Sequence, residues 1–140
     1  MAKEKNNQDI QKNYLELQLL VNQISQIQQQ IVSIQTQLNE IKNLKDSLEK
    51  LNKVKLNTEI YVPLGLNIFT KAKLANNDEF LVAVGNDILV EKSLEETTGL
   101  LSKQIIEVEK IILELETQLN ALDANAQEIQ TNIVNLSNKQ

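Results

Sequence analysis

The chain has 140 residues, 41% hydrophobic and 24% charged, a composition that folds rather than one that stays disordered. Four aromatic residues, Tyr14, Tyr61, Phe69 and Phe80, are too few for an ordinary globular core, whereas the plentiful Leu, Ile and Val suit the aliphatic seam of a coiled coil. The lack of Cys and His removes thiol chemistry, the usual zinc ligands and His-based acid/base catalysis, and a net charge of −5 with no arginine argues against nucleic acid.

No cofactor or metal is expected, and no enzyme. The start, MAKEKNNQD, is polar with no apolar segment behind it, and no stretch approaches the ~18 uninterrupted apolar residues of a membrane span. A soluble, cytoplasmic protein is the expectation.

Residues 8–55 read as a first helix. Leu17, Leu20, Ile24, Ile27, Ile31, Ile34, Leu38 and Ile41 alternate in steps of three and four, the spacing that keeps one line of side chains against a partner helix. With Leu17 at heptad position a, the register reaches back to Asn13 and Ile10 and forward to Lys45 and Leu48. A second line through Leu44, Leu48 and Leu51 is also open, and the steps of three at Leu38, Ile41 and Leu44 predict a local stammer. Between Glu16 and Glu40 there is no charge at all. That stretch is either plain Gln/Asn bias or a surface that can touch chains of either charge sign without repulsion. Leu15 at f and Leu19 at c lie outside the seam on one outward stripe, flanked by Tyr14 at e. Single exposed leucines are ordinary; a stripe of them at a free helix end is a candidate contact.

Residues 58–91 cannot be read as helix. They hold the sole proline, Pro63, and two of the three glycines, and they show period-two alternation. Strands are expected at 59–62, 68–74, 79–84 and 87–91, with turns at Pro63, Gly65 and Asn67, at 76–78, and at Gly85–Asn86. One face of each strand is the more apolar: Ile60 and Val62; Ile68 to Leu74; Phe80, Val82 and Val84; Ile88 and Val90. Phe69, Leu81 and Leu89 make the other faces partly apolar too. So small a sheet has little to bury this surface on, so its strands are expected to pair between chains. The alternative is a small sheet that caps its own helices.

Residues 93–138 read as a second helix. Ser93 followed by Glu96 is a capping-box pattern. Its seam runs through Leu101, Ile105, Val108, Ile112, Leu115, Leu119, Leu122, Ala126, Ile129, Ile133 and Leu136, with Gly99 a weak point of roughly 1 kcal/mol against Ala. Charge thins out after Thr117, where only Asp123, Glu128 and Lys139 remain. Folded antiparallel, the arms would pair Leu17 with Ile129, Ile24 with Leu122, Leu38 with Val108 and Ile10 with Leu136. Both termini then lie at one low-charge, uncovered tip of a hairpin ~70 Å long, at ~1.5 Å per residue. The fold class expected is therefore mainly α, a long antiparallel coiled-coil hairpin with a four-stranded module of two β-hairpins between the helices.

The run VPLGLNIFTKAKL, then VAVGNDILVEKSLEET leading into the second heptad helix, resembles the alpha class of prefoldin. The most specific parts are Val62-Pro63-Leu64-Gly65, Val84-Gly85, and Val90 to Ser93 at the helix start. The likeness covers the whole chain, 1–140, in architecture as a single domain, and in motif only the middle run and the start of the second helix. Leu66 and Asn67 depart from it, since the family is richer in glycine there, and so does Gly99, where a helix former is usual. The resemblance implies a hexamer of two alpha and four beta subunits built on β-barrels, with unfolded polypeptides held at the coiled-coil tips without ATP and passed to a group II chaperonin.

The contact set expected for such clients is Ile10, Tyr14, Leu15, Leu19, Ile133, Val134 and Leu136. The set expected for oligomerisation is Ile60, Val62, Ile68, Phe69, Phe80, Val82, Val84, Ile88 and Val90. The rival reading is a structural coiled-coil adaptor that bridges specific folded partners.

Overall fold

The computed structural model describes residues 2–138; Met1, Lys139 and Gln140, at the ends of the expected domain, lie outside the described residues. The element order is α1 (Ala2–Asn52), β1 (Glu59–Gly65), β2 (Ile68–Lys73), β3 (Glu79–Gly85), β4 (Ile88–Ser93) and α2 (Leu94–Asn138). The chain divides into two compact units, Met1–Gln37 with Val108–Gln140, and Leu38–Glu107.

In the first unit the N-terminal part of α1 packs antiparallel on the C-terminal part of α2. The less exposed positions of this part of α1 are Asn6, Ile10, Asn13, Leu17, Leu20, Ile24, Ile27, Ile31 and Ile34, the heptad line read from the sequence with one further step back to Asn6. On α2 they are Val108, Ile112, Leu115, Leu119, Leu122, Ala126, Ile129, Ile133 and Leu136, again without a missed step. Ile112 and Ile133 are buried, at 8% and 7% exposure. Two helices touching along one stripe leave most side chains in water, so the core is a line rather than a volume. Near the chain ends the Asn6 side-chain amide donates to the Leu136 carbonyl at 3.1 Å.

α1 starts at Ala2 rather than at residue 8. No Gly or Pro interrupts AKEKNNQ, and Glu4 in the first turn complements the helix dipole, so nothing stops the helix short.

The second unit holds the end of α1, both hairpins and the start of α2. Its buried residues are Leu38, Leu74, Thr97 and Leu101, with Leu38 the most enclosed at 3% exposure. The expected stammer at Leu44 is not there. Leu44 is 50% exposed, and the seam instead continues through Lys45, which is half-buried. The lysine stem covers the apolar line while its ammonium reaches water, so an unbroken heptad survives a charged residue. Two successive steps of three fall later, at Lys45, Leu48 and Leu51, where the helix tightens into its last turn. There Lys53 and Val54 amides bond back to the Lys50 and Leu51 carbonyls, three residues behind, and α1 ends at Asn52 rather than at 55.

Asn77, between the hairpins, completes that ending. Its side-chain amide donates to the Asn52 main-chain carbonyl at 3.1 Å and the Val54 carbonyl at 2.9 Å, and the Asn52 side-chain amide donates in return to the Asn77 main-chain carbonyl at 3.2 Å. Orphan carbonyls at a helix end need such partners. One residue on, the Asp78 carbonyl accepts the Leu94 amide at 2.8 Å. At the start of α2 the Ser93 hydroxyl accepts the Glu96 amide at 3.1 Å and donates to the Glu96 carboxylate at 3.2 Å. The hydroxyl thus caps the helix and orients Glu96, a variant of the expected capping box.

The strands form two separate two-stranded antiparallel sheets, β1 with β2 and β3 with β4. The first turn falls at the end of the expected 63–67 connection, and the second lies one residue later than the expected Gly85–Asn86. Leu66–Asn67 and Asn86–Asp87 form the two loops, all four with left-handed backbone, and Gly65 and Gly85 belong to the preceding strands at a register shift. Two left-handed residues in succession give the primed turn whose twist matches a hairpin.

Candidate functional site

The heptad pattern gives the first unit two flanks. On one flank lie the e and b positions of α1, and from Asn7 to Gln35 none is charged: Asn7, Gln11, Tyr14, Gln18, Val21, Ser25, Gln28, Val32 and Gln35. The matching e and b positions of α2 beyond Asp123 are Gln127, Gln130, Val134 and Ser137, also uncharged. The other flank carries charge. A hollow there is lined by Asp9, Lys12, Asn13, Glu16, Asn132, Asn135 and Leu136.

Tyr14 sits at the centre of the uncharged flank. It lines a hollow between the helices with Leu17, Gln127, Gln130, Thr131, Ile133 and Val134, and a second, mostly apolar one on α1 with Gln11, Leu15, Leu17, Gln18 and Val21. The apolar side chains here are well exposed: Tyr14 56%, Leu15 63%, Val21 52% and Val134 56%. Such a surface can cover apolar side chains of another chain with no charge to match or repel.

The structure sorts the expected contact residues. Tyr14, Leu15 and Val134 are exposed and share this flank. Leu19 is exposed but lines neither hollow, because position c places it on the charged flank, one heptad from Lys12. Ile10 and Leu136 are half-buried in the seam. Ile133, 7% exposed, lines the hollow from the seam, since position a points at the partner helix. Val21 is the residue that sequence reading missed. It stands one heptad beyond Tyr14 at the same e position, and that spacing is the signal that finds it. Val32, 66% exposed, extends the stripe.

In the second unit, no residue of any strand is buried. Of the residues expected to assemble, Ile60, Phe80 and Val82 are half-buried, Val62 and Val90 sit at the edge of exposure, and Ile68, Phe69, Val84 and Ile88 are between 52% and 59% exposed. Tyr61, Leu64, Leu81 and Leu89 add at least 61% each. Both faces of both hairpins thus carry uncovered apolar surface, far beyond the scattered exposure of an ordinary monomer.

Among the described residues no helix is long and apolar enough to cross a membrane, and no group of three or more His, Cys, Asp or Glu is placed to hold a metal. Two long helices with a pair of β-hairpins between them in the chain, apolar hairpin faces open to water and one uncharged flank on the paired helix ends define a coiled-coil assembly protein. The sequence profile "Prefoldin subunit" matches residues 20–139, and the chain belongs to the prefoldin family, in its alpha class. It is 29% identical over 133 residues to "Prefoldin subunit alpha" of Pyrococcus horikoshii, covering 89% of this chain and 90% of that protein. "Prefoldin subunit alpha 1" of Methanocaldococcus jannaschii is 30% identical over 130 residues, covering 90% and 89%. "Prefoldin subunit alpha" of Thermofilum pendens is 32% identical over 87 residues, covering 62% and 67%. The fold matches a subunit in the cryo-EM structure of filamentous PFD from Methanocaldococcus jannaschii with a TM-score of 0.74 at 20% identity, covering 82% of this chain and 95% of that one. Membership of the family carries a chaperone-type function and association with other prefoldin subunits.

Proposed function

We propose that this chain is a subunit of an ATP-independent holdase that captures unfolded or nascent polypeptides in the cytoplasm and delivers them to a group II chaperonin. The observation that carries the reading is the uncharged flank centred on Tyr14, with Leu15, Val21 and Val134 exposed around it. Of the other candidate contacts, Ile10 lies in the seam beside it, and Leu19 and Leu136 lie toward the charged flank. We take residues 1–140 as one prefoldin-like domain whose β-hairpins pair with beta-class subunits, two alpha with four beta.

The energetics suit handover. Covering one such leucine returns ~1.5 to 3 kcal/mol, and association consumes several kcal/mol. A single site is therefore weak, and several sites on one platform turn weak contacts into avidity while still releasing quickly. The rival adaptor reading predicts tight, salt-robust binding to one folded protein.

The test is cosedimentation of the assembled subunits with one client protein in its native and its chemically unfolded form, across a range of salt. Retention of the unfolded form alone is the expected result. Equal or preferential retention of the native form would sink the holdase reading.

A further inference from the structure

The flank centred on Tyr14 continues along the first unit, away from the chain ends. The hollow that joins Tyr14 and Leu17 to residues 127–134 sets the two helices in register, and neither seam misses a step from there to Ile31 and Leu115. Val32 and Leu113, each at position b of its own helix, therefore come level with one another on this flank. They are 66% and 64% exposed. Val32 also lines a shallow hollow of its own with Ser25, Gln28, Gln29 and Ser33. The flank thus has two apolar stations, one around Tyr14 and one at Val32 and Leu113.

Their separation is a length that a client chain must match. From Tyr14 to Val32 the helix rises ~27 Å. An extended chain covers that with about eight residues at ~3.3 Å each.

Charge names what lies between. Between the stations the flank has no charge on α1 and two carboxylates on α2, Glu116 and Asp123, both exposed at position e. No lysine stands on α1 between Lys12 and Lys42, or on α2 between Lys110 and Lys139. The ion pairs Lys50–Asp46 and Lys92–Glu96 belong to the other unit. The two carboxylates are thus left without a cation of their own chain, one heptad or ~10 Å apart. A polypeptide lying along the flank meets apolar surface, then two negative charges, then apolar surface again.

We propose that this flank takes extended client segments in which two apolar clusters, about eight residues apart, bracket lysine or arginine, and that Glu116 and Asp123 select for the cation. The proposal rests on the reading of the flank as the client site and names the kind of segment that site takes. Segments with Asp or Glu in the same place are repelled.

The test is fluorescence anisotropy of labelled synthetic peptides titrated with the assembled chaperone that contains this chain. One peptide has two leucine-rich clusters joined by a linker of about eight residues that includes two lysines. A second has glutamates in place of the lysines, and a third keeps the lysines and has one cluster. At low salt the two-cluster lysine peptide should bind about tenfold tighter than the one-cluster peptide. It should bind about two- to tenfold tighter than the glutamate peptide, a gap that closes at high salt. Val32→Ser/Leu113→Ser should bring the two-cluster peptide down to the affinity of the one-cluster peptide. Glu116→Gln/Asp123→Asn should remove the preference for lysine over glutamate and leave the two-cluster advantage. All four residues are exposed and outside the seam, and helix content by circular dichroism is the control on folding. A two-cluster advantage that survives Val32→Ser/Leu113→Ser overturns the second station. A lysine preference that survives Glu116→Gln/Asp123→Asn overturns selection by these carboxylates. If Leu15→Ser/Val134→Ser binds the one-cluster peptide as tightly as the wild type does, the client site itself is misplaced and the proposal falls with it.

Discussion

Replacing Leu15 and Val134 together by serine puts the uncharged flank to a quantitative test. The two side chains are 63% and 56% exposed, so each has roughly 1 to 2 kcal/mol of burial still to gain against a client. Losing both weakens one site by ~2 to 3.5 kcal/mol, about 30- to 300-fold in dissociation constant. Neither residue is in the seam, so the folded chain should lose no more than ~0.5 kcal/mol per site. The assay is light scattering of an aggregating client at a fixed ratio of assembled chaperone, alongside helix content and the thermal midpoint by circular dichroism. Suppression of aggregation should fall sharply with the helix signal unchanged. The control is Lys12→Ser/Glu16→Ser on the charged flank, which should leave suppression intact. Full suppression by the Leu15/Val134 variant, or an equal loss in the control, would refute the sidedness of the site.

Leu38→Ala removes the most enclosed side chain of the described residues and should cost ~2 to 5 kcal/mol in a urea titration. Asn77→Ala strips two hydrogen bonds from the carbonyls at the end of α1 and should cost ~1 to 3 kcal/mol, with amide exchange accelerating at Lys53 and Val54 before it does elsewhere. Gly99→Ala should stabilise the start of α2 by ~0.5 to 1 kcal/mol, because a Cβ there meets nothing within 4 Å; a lower thermal midpoint would contradict the reading.

The seam was fully legible because heptad spacing acts directly on burial: every position from Leu101 to Leu136 that the period selects is among the less exposed ones. Helix ends were less so. Nothing in AKEKNNQ distinguishes a polar helical turn from a tail, and the end of α1 depends on Asn77, a residue outside the helix that propensity cannot see. The second turn was misplaced by one residue because Gly85, itself at positive φ, drew the assignment ahead of Asp87. At the candidate site, Leu15 and Val134 stood out as apolar residues off the seam. The flank they share did not, since it emerges only when the e and b positions of both helices are laid side by side. Ile133 belongs to the seam at 7% exposure and lines the hollow from below, a double position that heptad spacing alone does not show.

Asn77 and Asp78 are neighbours in the chain, yet one holds the last turn of α1 and the other takes the first amide of α2. The short segment between the hairpins is thus a two-pronged clasp, and its length is a design constraint rather than slack. A spacer, tag or reporter inserted between Leu74 and Asn76 leaves both prongs adjacent. A single extra residue between Asn77 and Asp78 separates them, so one helix end must release its grip for the other to keep it. For anyone grafting new hairpins onto this scaffold, that pair of residues marks the cut that must not be made.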